Sequence, residues 1–180
     1  MSEVIQGDMP LQEDFIREVA IELTELILFL HSSASVTNID LRPNQILITP
    51  EGRVKMRSIV VPRGKFDLYD DIKYHSTVFI APEVYNDGVI DERTDMYSIG
   101  YLLYSLITRK DFSKPPYVVL PLHNACPDLS AALEQIVLKC IEPNPKDRYQ
   151  SAKALLKDLK NIDKLNHKLR KTPWYKHLFS

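Results

Sequence analysis

The run from Thr94 to Thr108, TDMYSIGYLLYSLIT, is apolar on nearly every face of a helix. A surface helix keeps one polar side in water, so a helix of this kind has to stand in the middle of a domain with other elements packed around it. The rest of the chain must supply that surround.

The apolar spacing elsewhere predicts what it is made of. Phe15, Val19, Leu23, Leu26 and Leu30 recur at helical intervals, widened by Ile16, Ala20 and Ile27, which predicts a long helix over residues 11–31 with one broad buried face. Residues 46–56 hold two short β-type runs on either side of Thr49-Pro50-Glu51-Gly52, a turn chemistry in which glycine supplies a positive φ, and predict a small hairpin. Leu129, Leu133, Ile136, Val137 and Cys140 mark another helix, with Asp128 as its N-cap and Pro143-Asn144-Pro145 as its end. Lysine-rich amphipathic helices are expected over 151–162 and 163–170. Residues 58–80 mix charges, Pro62, Gly64 and aromatics without a period, as an irregular surface segment does.

At 180 residues, 44% hydrophobic and 26% charged, the chain is sized for one folded domain. Its 23 Lys+Arg against 24 Asp+Glu give a net charge of -1, which disfavours nucleic acid as a partner. The five glycines, at 7, 52, 64, 88 and 100, never fall within six residues of each other, so these residues contain no glycine-rich phosphate cradle. Cys126 and Cys140 and the five scattered histidines show no metal-ligand spacing, and neither a metal nor another cofactor is expected. The most apolar stretches, near 26–30 and 99–107, fall short of the roughly 20 residues a membrane span needs. The acidic N-terminus lacks the apolar core of a leader peptide, and the expected location is cytoplasmic.

Five segments taken in order, VTNIDLRPNQILIT (36–49), GRVKMRSIVV (52–61), STVFIAPEVY (76–85), TDMYSIGYLLYSLIT (94–108) and CIEPNPKDRYQSAKALL (140–156), resemble successive landmarks of the protein kinase fold. The resemblance covers residues 11–175 and is to the C-terminal lobe only. It implies a mainly α fold, a kinase C-lobe-like helical domain with a small β-hairpin and no N-terminal lobe. Residues 1–10 would be an N-terminal extension and 176–180 a tail. Within the family, SEVIQGDMPLQEDFIREV, LITPEGRVKM and FIAPEV look like the kinase non-catalytic C-lobe domain, KIND, of Spire-type actin nucleators and a large tyrosine phosphatase, while 36–45 reads like an ordinary Ser/Thr kinase loop.

Protein kinases work with a catalytic-loop Asp and Asn, a DFG Asp on Mg²⁺, and a glycine-rich loop and Lys on the phosphates. In this chain the HRDLKPxN loop corresponds to Asn38-Ile39-Asp40-Leu41-Arg42-Pro43-Asn44-Gln45, which keeps the Asp and replaces the metal-binding Asn with Gln45. The DFG position reads Ser58-Ile59-Val60, with no hard anionic ligand for Mg²⁺. Asp40 alone keeps the residue type of a catalytic base. Without metal ligands its expected role is structural, organising its own loop by accepting backbone hydrogen bonds. The skeleton of the lobe is what the resemblance retains: Ala81-Pro82-Glu83 resembles the APE motif, Arg148 the Arg that pairs with it, and Asp95 the buried Asp opening the central helix. Family geometry implies a desolvated Glu83–Arg148 pair and backbone N–H groups of the 38–42 loop donating to Asp95.

These features point to a pseudokinase-like module, not an enzyme, that works in protein–protein interaction or scaffolding. Its partner would be another protein, offering a helix or a kinase-related surface. Ile46, Ile48, Met56, Ile59, Val60 and Val61 would form an exposed apolar interaction face where the missing lobe would sit. One alternative is a regulator of a true protein kinase that mimics its C-lobe. A lesser alternative is a residual phosphotransferase completed by another chain. Tyr69, Tyr74, Ser76 and Thr77 fall in the activation-segment region, where surface hydroxyls are the plainer reading beside a phosphorylation switch. Lys153, Lys157, Lys160, Lys164, Lys168, Arg170, Lys171 and Lys176 read as the solvated face of amphipathic helices rather than a strip for an acidic partner or lipid, and Trp174 and Tyr175 as aromatics capping the core. The oligomeric state is open.

Overall fold

A computed structural model of the protein describes residues 1, 11–49, 53–59, 77–86, 88–110, 112 and 119–171. In chain order these form α1 (Glu13–Ala34), a hairpin of β1 (Ile46–Ile48) and β2 (Val54–Met56), the short α2 (Pro82–Tyr85), α3 (Glu92–Thr108), α4 (Ala131–Cys140), α5 (Ala152–Lys160) and α6 (Ile162–Lys171). The architecture is mainly helical with one antiparallel two-stranded hairpin. The expected turn at 50–52, residues 60–76 of the irregular segment and the tail carrying Trp174, Tyr175 and Lys176 lie outside the described residues. No described helix is long and apolar enough to cross a membrane.

Every residue of α3 from Thr94 to Ile107 is buried, as its all-round apolar character demands. α1 and α4 pack against it, α1 also contacts α5, and α4 contacts α6. Because α1 is covered from two sides, its buried set is wide: Ile16, Val19, Ala20, Leu23, Thr24, Ile27, Leu30 and His31. This corrects the expected stripe, since Phe15 and Leu26 are only half-buried and the face is rotated toward Ile16 and Ile27. Rings of Phe79, Tyr97, Tyr101, Tyr104 and Phe112 touch edge-on or tilted along one side of α3.

The helix starts are set by local chemistry. Asp91 and Thr94 form a reciprocal capping box on α3, the Asp91 carboxylate accepting from the Arg93 N–H at 2.9 Å. The N-cap of α4 is Ser130, not Asp128, which lies two residues too early to reach the free N–H groups; Ser130 Oγ accepts from the Leu133 N–H at 3.2 Å. The same terminus is closed from outside, by Glu13 of α1 accepting from the Ser130 N–H and Asn166 of α6 accepting from the Ala132 N–H at 2.9 Å. These tertiary caps satisfy donors that the helix itself cannot.

Gly100 lies where α3 meets the end of α4. A Cβ there would stand 2.6 Å from both Cys140 Cβ and Ile141 Cγ2, atoms too close to the backbone to swing away. Farther along α3, Ser105 Oγ is buried with no hydrogen-bond partner among the described residues. Gly100→Val is expected to destabilise the fold by about 1–3 kcal/mol through overpacking. Ser105→Ala is expected to leave stability unchanged or raise it, because it removes an unpaired buried hydroxyl. Urea unfolding checks both through the midpoint at constant slope.

Candidate functional site

The N-terminal end of α3 is organised by one carboxylate. Asp95 is fully buried; Oδ1 accepts from the Ile39 N–H at 2.7 Å and Oδ2 from the Asn38 N–H at 3.0 Å. His31 Nε2, from the last turns of α1, is 2.8 Å from Oδ2. An ionised carboxylate only accepts, so in that state Nε2 carries the hydrogen. The other ring nitrogen is 3.7 Å from Glu92 Oε2. Burial pushes the Asp95 carboxyl above its ordinary pKa, against His31 and the two backbone N–H groups, which pull it down. Asn38 takes a left-handed φ of 57°, which asparagine tolerates better than most residues and which directs its N–H at the carboxylate. Sequence reading did not single out His31. Its signal was a titratable ring four residues beyond Ile27 on the apolar side of α1.

A second polar centre ties α2 to the turn before α5. Arg148 Nη1 and Nη2 donate to Glu83 Oε1 and Oε2 at 2.7 and 2.8 Å, both side chains being buried. The Thr94 hydroxyl donates to Glu83 Oε1 at 3.0 Å. The remaining guanidinium hydrogens go to carbonyls: Nε to Glu142 at 2.7 Å, Nη1 to Arg93 at 3.1 Å and Nη2 to Pro143 at 3.0 Å. All five donors are used. The guanidinium also lies 4.7 Å from the Tyr97 ring centroid. Burial alone would raise the Glu83 carboxyl; Arg148, its own backbone N–H and Thr94 outweigh that and hold it below its ordinary 4.5.

Between these centres runs the 38–45 loop. Asp40 is held on both oxygens by the Arg42 guanidinium, Nε to Oδ1 at 2.6 Å and Nη2 to Oδ2, in place of the backbone donors expected for it. Across the hairpin, Ser58 Oγ donates to Gln45 Oε1 at 3.1 Å. The structure thus brings together the two positions that the motifs align with metal ligands, and fills both with neutral groups bonded to each other.

The expected apolar interaction face is not the outward face of the hairpin. The register pairs Ile46 with Met56, Leu47 with Lys55 and Ile48 with Val54. A strand alternates its side chains, so Ile46, Ile48, Val54 and Met56 share the side turned to the core. Ile46 is 1% exposed, which removes it from a free surface, and Ile48 and Met56 are half-buried. Ile59 is exposed, and Val60 and Val61 lie outside the described residues.

Comparison with known proteins bears on this arrangement directly. The profile of the protein kinase domain matches residues 1–160. The chain belongs to the protein kinase domain family. Among curated kinases it is 25% identical over 176 residues to a probable serine/threonine-protein kinase of Clostridium acetobutylicum, covering 90% of this chain and 27% of that protein. It is 23% identical over 179 residues to the serine/threonine-protein kinase PknB of Mycolicibacterium smegmatis, covering 88% of this chain and 28% of that kinase. With PknB of Mycobacterium tuberculosis the identity is 24% over 182 residues, covering 90% and 28%. The chain therefore spans little more than a quarter of the length of these kinases.

Removing one side of the buried pair leaves the other charge stranded. Arg148→Met is expected to cost about 3–5 kcal/mol in chemical unfolding. The pH dependence has a defined sign. Since the folded pKa of Glu83 is depressed, its contribution to stability is fully present above about 4.5 and is lost as pH falls through the lower folded value. Glu83→Gln is expected to flatten that acid limb in stability measured from pH 6 downward.

Proposed function

We propose that this kinase-family chain is a catalytically inactive, KIND-like module that acts by binding another protein. The observation that carries the reading is the Ser58–Gln45 hydrogen bond. In the phosphoryl-transfer machinery these two positions supply an Asp and an Asn to Mg²⁺. Magnesium takes hard oxygen ligands and is normally held through carboxylates and phosphates. A hydroxyl and a longer amide satisfying each other at 3.1 Å do not fit that ion.

Asp40 supports the same reading. Arg42 donates to both Asp40 oxygens, which gives the carboxylate a structural partner within its own loop. The parts of the kinase pattern present in this chain are those that tie elements together: Glu83 with Arg148, and Asp95 with the loop. They provide a rigid platform without requiring chemistry.

Thermal melts of the purified chain with and without Mg²⁺ and ATP test the proposal, beside a phosphate-incorporation assay on a generic protein substrate. A ligand at about 100 times its Kd would stabilise by about 2.7 kcal/mol, a shift easily seen. No shift and no incorporation are expected. Magnesium-dependent stabilisation, or incorporation abolished by Asp40→Asn, would overturn the proposal.

A further inference from the structure

The hairpin has a second face that the core does not use. Its ladder extends past the strands, since the Arg57 N–H donates to the Gln45 carbonyl and the Thr49 N–H to the Arg53 carbonyl, each at 2.9 Å. Gln45–Thr49 therefore runs antiparallel to Arg53–Arg57 in one continuous register. With Ile46, Ile48, Val54 and Met56 turned to the core, period-2 alternation sends Arg53, Lys55 and Arg57 outward in a row. All three are exposed, and Leu47, 39% exposed, stands opposite Lys55 on the same face.

Among the described residues Arg53 pairs with one acidic side chain, Glu22 of α1 at 3.2 Å, and its own side chain is still 70% exposed. Lys55 and Arg57 have no ion-pair partner among the described residues. Like charges at alternate positions of one strand repel, so the row does not assist folding. Nor does it follow from a generally basic chain, because the net charge is -1.

We propose that this outward face docks an extended, acidic segment of a partner protein, with carboxylates at alternate positions. The match is geometric as well as electrostatic. An extended peptide repeats its side-chain direction every second residue, the same repeat as Arg53, Lys55 and Arg57, so its carboxylates can meet the row together while the residues between them face away. Exposed ion pairs are individually weak, so the affinity is modest and sensitive to salt. Nucleic acid fits less well, since tight duplex binding uses about 6–10 phosphate contacts. The proposal rests on the chain being an interaction module and supplies the chemistry of its partner.

The test is fluorescence anisotropy of a labelled nine-residue peptide in which Glu alternates with Thr and Val, against a peptide of the same composition with its Glu residues in one block. The 180-residue chain is compared with Lys55→Glu/Arg57→Glu, whose sites are exposed, and with Lys55→Gln/Arg57→Gln, each shown by melting to be folded. Expected are saturable binding of the alternating peptide, weaker binding of the block peptide, and a loss of about tenfold or more in the charge-reversed variant. Equal binding of both peptides, no saturable binding, or affinity unchanged in both variants would overturn the proposal. So would displacement of the peptide by a single-stranded oligonucleotide or by ATP at lower concentration than by unlabelled peptide, which would assign the face to that ligand. If the peptide fails while Mg²⁺ and ATP still give no stabilisation, only the partner chemistry falls and the inactive module stands.

Discussion

Arg148 is the residue on which the lower half of the molecule depends. A guanidinium that leaves water must place every N–H, and this one does so with two bonds to Glu83 and three to carbonyls of Arg93, Glu142 and Pro143. Those partners come from α2, the start of α3 and the turn between α4 and α5. One side chain therefore ties together segments from three separate parts of the chain. A buried ion pair is poor evidence of net stability compared with a well-packed apolar replacement, but it is a strong constraint on geometry. The bidentate fork admits one orientation of α2 against α3, where a greasy contact would admit several.

Asp95 does the same work at the top of the lobe, with the opposite electrostatic character. Two backbone N–H groups and the His31 imidazole share the load, and burial raises its pKa where Arg148 lowers that of Glu83. The 38–45 loop is held by that carboxylate from below and by the Asp40–Arg42 pair within itself. This division explains how a loop built on a kinase pattern keeps its shape with its metal-ligand positions changed. Its conformation is fixed by groups that point into the protein, whereas the side chains at the two metal-ligand positions, Gln45 and Ser58, are bonded to each other.

Much of the architecture was legible in the chain. The central helix followed from the absence of any polar side in 94–108, and the hairpin from two short β-type runs around Gly52. Local rules failed where tertiary structure decides. Asp128 has the right chemistry for an N-cap, but α4 begins where Glu13 and Asn166, 117 and 34 residues away from the groups they cap, can reach its free donors. No spacing rule links Glu83 to Arg148, 65 residues apart, or His31 to Asp95, 64 apart. For the first pair, motif resemblance stood in for the missing rule; for the second, no motif pointed to His31.

The hairpin shows the most instructive limit. Reading Ile46, Ile48 and Met56 as exposed assumed that the apolar residues of the hairpin have no core to turn to. Strand parity removes that freedom: once Ile46 is anchored in the core, Ile48, Val54 and Met56 must follow it inward and the alternate residues must face out. The alternate residues are Arg53, Lys55 and Arg57, so parity converts an expected apolar surface into a basic one. The change bears on what can bind there. An apolar face selects partners by shape and area, whereas a row of cations with a fixed repeat selects them by charge pattern, and that selection weakens as salt rises.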